Sequence, residues 1–266
     1  MSHLSPEEPQ PEGFKDPEVP AIFLFNFLPS LELLPKKITI AIDGPAGAGK
    51  GTIVEILVRI LNQSYPDREF INLDTGAMYR CVALLTLRHS LSPNEGEVIL
   101  ARLLQHTIQL RKPSDEELQK RPGRTITVLL DDEDVSELIR TENIGKITSV
   151  TAQHLLIREE INKQIRAVAN SQNVIAEGRD MTTAVFPDAQ VRIYLDAAVE
   201  IRALRRFLQL STSNGSSYEE VLRLVTNRDA LDLERNLKWV PGVWRIDSSH
   251  LTPQEVAQLI LSNNIF

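Results

Sequence analysis

The stretch Ile38–Thr52, ITIAIDGPAGAGKGT, decides how the rest of the chain is to be read. ITIAID is almost wholly β-branched or apolar, as in a strand buried on both faces. Gly44, Pro45, Ala46, Gly47, Ala48, Gly49, Lys50, Gly51 and Thr52 come next, followed by Ile53, Val54, Ile56, Leu57, Ile60 and Leu61 at helical spacing. A strand, a tight glycine turn and a helix make the mould in which backbone N–H groups and a helix N-terminus hold phosphate, the lysine adding a point charge. The pattern G-x-x-x-x-G-K alone should arise by chance in roughly one chain in ten of this length. The flanking strand and helix supply the context that makes it a phosphate-binding loop.

Outward from that loop, the composition sets bounds. The chain has 266 residues, 42% of them hydrophobic and 24% charged, with a net charge of −7. This suits one soluble domain with an insertion. The acidic balance speaks against a broad nucleic-acid surface, although a focused cationic cleft can still hold anions. The one cysteine, Cys81, forms no intrachain disulfide and fits a reducing cytoplasm and a packing role. The most apolar stretch, Ala21–Leu34, is interrupted by Pro29 and Glu32 and is too short to span a bilayer, and no basic region precedes it. We therefore expect a cytosolic protein with no membrane partner.

Residues 1–37 read as an extension. Its first 19 residues are Pro- and Glu-rich and expected to be disordered. The apolar patch after them either packs on the body or mediates contacts. From Ile38 onward, apolar strands alternate with amphipathic helices: strands over 38–43, 70–73, 174–177, 191–196 and 243–246, and helices over 50–61, 76–88, 198–210, 218–233 and 253–261. This pattern predicts an α/β fold, a parallel sheet of about five strands flanked by helices. Ligands of such sheets sit beyond the carboxyl ends of the strands, where Asp43-Gly44, Asp74-Thr75, Gly178-Arg179-Asp180 and Asp196 fall. Residues 91–171 differ in texture. They predict strands over 107–111 and 124–130 joined by a polar loop, then one helical stretch over 141–169. We read them as an inserted domain covering the substrate, and 38–90 with 172–266 as the core.

Charge falls in clusters. Asp74 or Thr75 is a natural N-cap, which leaves Arg80, one turn further along, unexplained. Arg179 and Asp180 end a buried strand, where charges are costly unless paired or serving a ligand. Arg202, Arg205 and Arg206 are spaced to share one helical face, and Arg228, Asp232 and Arg235 repeat at about one turn. Surface ion pairs explain each cluster singly. Together with the loop, they indicate a cleft for two phosphate-bearing ligands.

The motifs GPAGAGKGT, DTGAMYR, EDVSELIRT, EGRDMTTAVFPDA, LDAAVEIRALRR and RDALDLER, in this order from about Ile38 to Leu261, resemble those of the bacterial cytidylate kinases. The loop's GKGT ending is a form common in nucleoside monophosphate kinases. The resemblance implies a P-loop core with an inserted monophosphate-binding domain and a short lid. Residues 44–52 would hold the ATP phosphates, Lys50 bridging toward the transferred group and Thr52 lying near Mg²⁺, partly through water. Thr75 would stand beside the acceptor phosphate, which Arg80, Arg179 and Arg235 would clamp; these three and Lys50 are the catalytic set. Ser149, Arg158 and Asp180 would contact cytosine, Arg228 and Asp232 the sugar hydroxyls, and Arg202, Arg205 and Arg206 would belong to the lid. Ala230 and Leu231 stand where the family commonly has charge, and the extension is not part of its pattern. The implied reaction moves the γ-phosphate of ATP to CMP or dCMP in a monomer whose partners are small nucleotides and no nucleic-acid polymer. A kinase for UMP or AMP, and a catalytically silent nucleotide-binding regulator, remain the alternatives.

Overall fold

The computed structural model describes residues 36–121, 124–210, 217–234 and 238–262. The expectations for residues 1–35 and for Arg235 lie outside them. The chain opens with β1 (Thr39–Asp43), α1 (Lys50–Ser64), β2 (Phe70–Asp74) and α2 (Thr75–Arg88). Then come α3 (Gly96–Leu103), β3 (Ile108–Arg111), α4 (Asp115–Lys120), β4 (Thr127–Leu130) and β5 (Glu133–Asp134). A 3₁₀ turn over Leu138–Arg140 leads into α5 (Glu142–Thr151) and α6 (Leu155–Ser171). The last part is β6 (Asn173–Gly178), a π-helical turn over Met181–Val185, β7 (Val191–Asp196), α7 (Val199–Leu210), α8 (Tyr218–Glu234), β8 (Trp244–Asp247) and α9 (Pro253–Ser262).

Five strands form a parallel sheet in the order β2-β6-β1-β7-β8, as the apolar strand runs predict. Side chains alternate across it. Ile38, Ile40 and Ile42 pack with α1 and α9 on one face. Ala41, Val174 and Ala176 lie on the other, under α2 and the Ile157–Ile161–Ile165 stripe of α6. The register aligns Asp43 with Gly178 and Tyr194, and Asp74 with Glu177. The polar residues that end these strands therefore share one rim of the sheet.

The interval 91–171 holds more elements than its pattern predicts. A second, antiparallel sheet has the order β3-β4-β5. The polar loop contains α4, too short and too polar to show periodicity, started by a capping box in which Ser114 and Glu117 bond each other's backbone N–H. The single helical stretch is two helices, broken at Ala152–His154, where the His154 ring packs against Gly96 at the start of α3 and meets the Pro93 carbonyl. The strand expected over 124–130 begins only at Thr127, because Arg124 turns its side chain onto Ile126 O, Asp134 and Ser136. Ile99, Leu103, Val128, Ile139 and Ile144 of this interval share one apolar cluster with α2.

Candidate active site

The loop after β1 takes its shape from its glycines. Gly44, Gly47 and Gly49 have φ of 152°, 80° and 93°, values that L side chains rarely adopt. A Cβ on Gly44 would lie 2.0 Å from the Leu195 carbonyl oxygen, and one on Gly47 2.9 Å from that of Arg202, so the loop is pressed onto β7 and α7. Gly49 starts α1 with no side-chain cap, which leaves the first N–H groups of that helix to an anion.

Cations gather behind and beside this loop. The Lys50 ammonium is buried and donates to Gly44 O (2.7 Å) and Pro45 O (3.0 Å); burial and the Arg179 charge lower its pKa. Arg179 donates from Nη1 to Gly44 O at 2.9 Å and from Nε to Asp232 Oδ2 at 3.0 Å, which joins the end of β6 to α8. Arg202 is buried, donates to Ala46 O at 3.1 Å and pairs through both Nη groups with Asp229. Arg205 reaches Ala48 O at 3.3 Å and both oxygens of Ser248. The expected shared arginine face of α7 is thus split. A buried guanidinium needs its donors satisfied: Arg202 divides its own among Ala197 O, Ala46 O of the loop and Asp229, and Arg205 between Ala48 O of the loop and Ser248. Arg206 lies on the side of Arg80.

A second cationic group gathers around Arg80 of α2. Arg80 Nη1 donates to Ile139 O at 2.9 Å. Burial, and then the neighbouring charges of Arg140, Arg228 and Arg206, hold its pKa below the ordinary range, while Asp74 opposes them. Arg228 of α8 therefore comes within electrostatic reach of Arg80 on α2. Asp74 caps α2, accepting from Ala77 N at 3.0 Å, and buried Thr75 donates to the Glu177 carbonyl at 2.7 Å. Arg158 pairs with the buried Asp180 and lies over the Tyr79 ring, 5.8 Å from its centroid. Ser149, half-buried on α5, donates to Lys146 O.

The sequence places several further residues at this rim without telling what they bind. Asp43 is buried and accepts from Met181 N, Thr182 N and the Thr182 hydroxyl, so it sets the turn that presents Asp180; burial raises its pKa. Burial and the nearby Asp74 also raise the pKa of Glu177. Its carboxylate would lie 3.4 Å from a Cβ on Gly51, and Thr52 beside it is exposed. The hydroxyl of Tyr79 is buried without a partner. A cavity of about 170 Å³ adjoins the loop between Arg179, Tyr194 and Asp232. A larger one, about 380 Å³, lies off this rim between Thr39, Arg166 and Phe186 and does not touch the residues above.

A glycine loop at a helix N-terminus with Lys50 behind it, and a second group of arginines around Arg80, are parts that a P-loop nucleotide kinase uses. The comparisons name the branch. The family model described as cytidylate kinase matches residues 40–264. The cytidylate kinase of Caldicellulosiruptor saccharolyticus is 39% identical over 230 residues, 85% of this chain and 95% of that one. That of Bacillus pumilus is 38% identical over the same shares. The chain belongs to the cytidylate kinase family and is a phosphotransferase. A shikimate kinase structure from Acinetobacter baumannii aligns over 85% of this chain and 92% of its own, at 16% identity and a TM-score of 0.37. No helix among the described residues is long and apolar enough to cross a membrane.

Proposed function

We propose that the protein transfers the γ-phosphate of ATP to CMP or dCMP, giving ADP and CDP or dCDP. The pairing of Arg158 with Asp180, with Arg158 lying over the ring of Tyr79, the residue before Arg80, carries this reading. The acceptor is a phosphate monoester with a second pKa of about 6, so at neutral pH its oxygen is already a nucleophile. That oxygen forms the new bond to the γ-phosphorus as the bond to the ADP oxygen breaks, and no proton need move. The work of the protein is in-line placement and charge stabilisation by Lys50, Arg80, Arg179 and Arg235. An ionised Asp180 only accepts hydrogen bonds, so it suits the exocyclic amine of cytosine and is left unpaired by the carbonyl of uracil.

A magnesium ion fits the donors present. Among the described residues no group of three or more His, Cys, Asp or Glu could hold a metal by itself, so the ATP phosphates would supply most of the oxygens and the protein few: the Glu177 carboxylate, with no side chain on Gly51 in front of it, and the Thr52 hydroxyl. Glu177 and Thr52 would hold Mg²⁺, which when bound offsets the charge of the ATP phosphates. On this reading residues 91–171 cover the acceptor, α7 and α8 form the lid that excludes water, and the enzyme is a cytosolic monomer. ADP release measured with ATP, Mg²⁺ and each of CMP, dCMP, UMP and AMP tests it. The cytidine nucleotides should turn over fastest, Lys50→Ala should abolish turnover, and Asp180→Ala should cost more with CMP than with UMP. A preference for AMP or UMP would select the other kinase reading, and no turnover with any acceptor the regulator.

A further inference from the structure

Arg140 has no role in the site as built so far, yet it stands in the middle of the charge around Arg80. Its backbone is held firmly. Ile139 before it is fully buried and its carbonyl accepts from Arg80, while Thr141 after it caps α5 by accepting from Ile144 N. Its side chain is held loosely: 55% exposed, with one contact of 3.2 Å from Nη2 to Asp74 Oδ2. An ion pair so open and so long is worth little. The other oxygen of Asp74 is committed to the cap of α2. The charges of Arg140, Arg206 and Arg228 all bear on Arg80, with Asp74 the opposing charge. Arg140 also faces the carboxyl of Glu55, but Arg80 and Arg140, on either side of the Ile139 carbonyl, repel each other unless an anion joins them.

We propose that Arg140 is a ligand of the acceptor's phosphate, its guanidinium turning from Asp74 to grip, together with Arg80, the phosphate oxygens that do not attack. The planar fork suits two such oxygens. The 3₁₀ turn explains the choice of position, because one carbonyl, that of Ile139, tethers Arg80 next to the residue that shares its load. The inference rests on the site's taking a nucleoside monophosphate, and it is indifferent to which base that nucleotide carries.

Steady-state kinetics of the full chain carrying Arg140→Ala or Arg140→Lys test it. The alanine variant should raise KM for the acceptor about 10- to 100-fold, the loss of one or two charge-assisted hydrogen bonds, and leave KM for ATP within about twofold. Arg140→Lys should recover part of the loss, keeping the charge without the fork. Calorimetric titration separates a phosphate contact from a structural one: Arg140→Ala should weaken CMP binding and leave cytidine binding as it was. An acceptor KM changed by less than about twofold, or equal losses for CMP and cytidine, overturns the proposal. If UMP or AMP proves the true acceptor, the cytidine reading falls, and the same comparison with that nucleotide and its nucleoside decides Arg140. If Arg140→Ala does not fold, Arg140→Lys carries the titration, with the same outcomes.

Discussion

Gly44 ends β1 with φ of 152° while its α-carbon faces the Leu195 carbonyl, leaving 2.0 Å where a Cβ would need more than three. The obstacle is strand backbone, which cannot turn aside as a flexible side chain can. Gly44→Ala is therefore expected to lose about 3 kcal/mol of stability in urea unfolding, and a loss below about 1 kcal/mol would mean that β7 gives way. The spacing of glycines around Lys50 was legible as a phosphate loop because that geometry is local. The partners of single residues were not. Asp43 reads as a polar residue at the ligand-facing end of a strand, but its three hydrogen bonds to Met181 and Thr182 come from 138 and 139 residues away. Arg202 and Arg205 read as an anion face because helical spacing says which side a residue occupies and not what packs there.

Among the elements, α4 shows what periodicity misses. Five polar residues around a lone Leu118 give no apolar stripe, and the helix depends on Glu117, whose carboxylate takes hydrogen bonds from Arg111, Ser114 N and Thr127. The Arg111 guanidinium, followed by the Ser114 N–H, pulls the Glu117 pKa from 4.5 down to about 2. A carboxylate depressed in the folded state contributes stability that is complete above its unfolded pKa and is lost as pH falls through the folded one. The difference in melting temperature between the wild type and Glu117→Gln should accordingly hold above pH 4.5 and shrink toward pH 2. A difference that stays constant over that window would show that Glu117 acts by packing alone. The strands of the main sheet, by contrast, were legible to within a residue or so, since β1, β2 and β6 are largely apolar on both faces, β7 alternates apolar with polar residues, and β1, β2, β7 and β8 end in Asp.

For the whole molecule, a protein of net charge −7 nevertheless brings Arg179, Arg202 and Arg205 to the loop and the charges of Arg140, Arg206 and Arg228 to bear on Arg80, and this focusing lets it hold polyanions. The fold that does so begins at β1. Lys37 Nζ donates to Ser171 O at 2.5 Å and Ile38 N to Asn173 Oδ1 at 3.0 Å, so the entry of β1 is anchored without the residues before it. The family match likewise starts at residue 40. Removing residues 1–35 should leave kcat and both KM values within about twofold of the full chain, and a larger loss would assign those residues a part in turnover. The sequence by itself determined the α/β class, the phosphate loop and the family, because strand and helix periods and the glycine turn are written in residues close together in the chain. Tertiary structure decided the rest: that Arg202 and Arg205 brace the loop, that Arg179 ties β6 to α8 through Asp232, and that Arg140 stands beside Arg80. These depend on where separate segments meet, and the burial and mutual fields that set the charge of Lys50, Glu177 and Arg80 exist only once the segments have met.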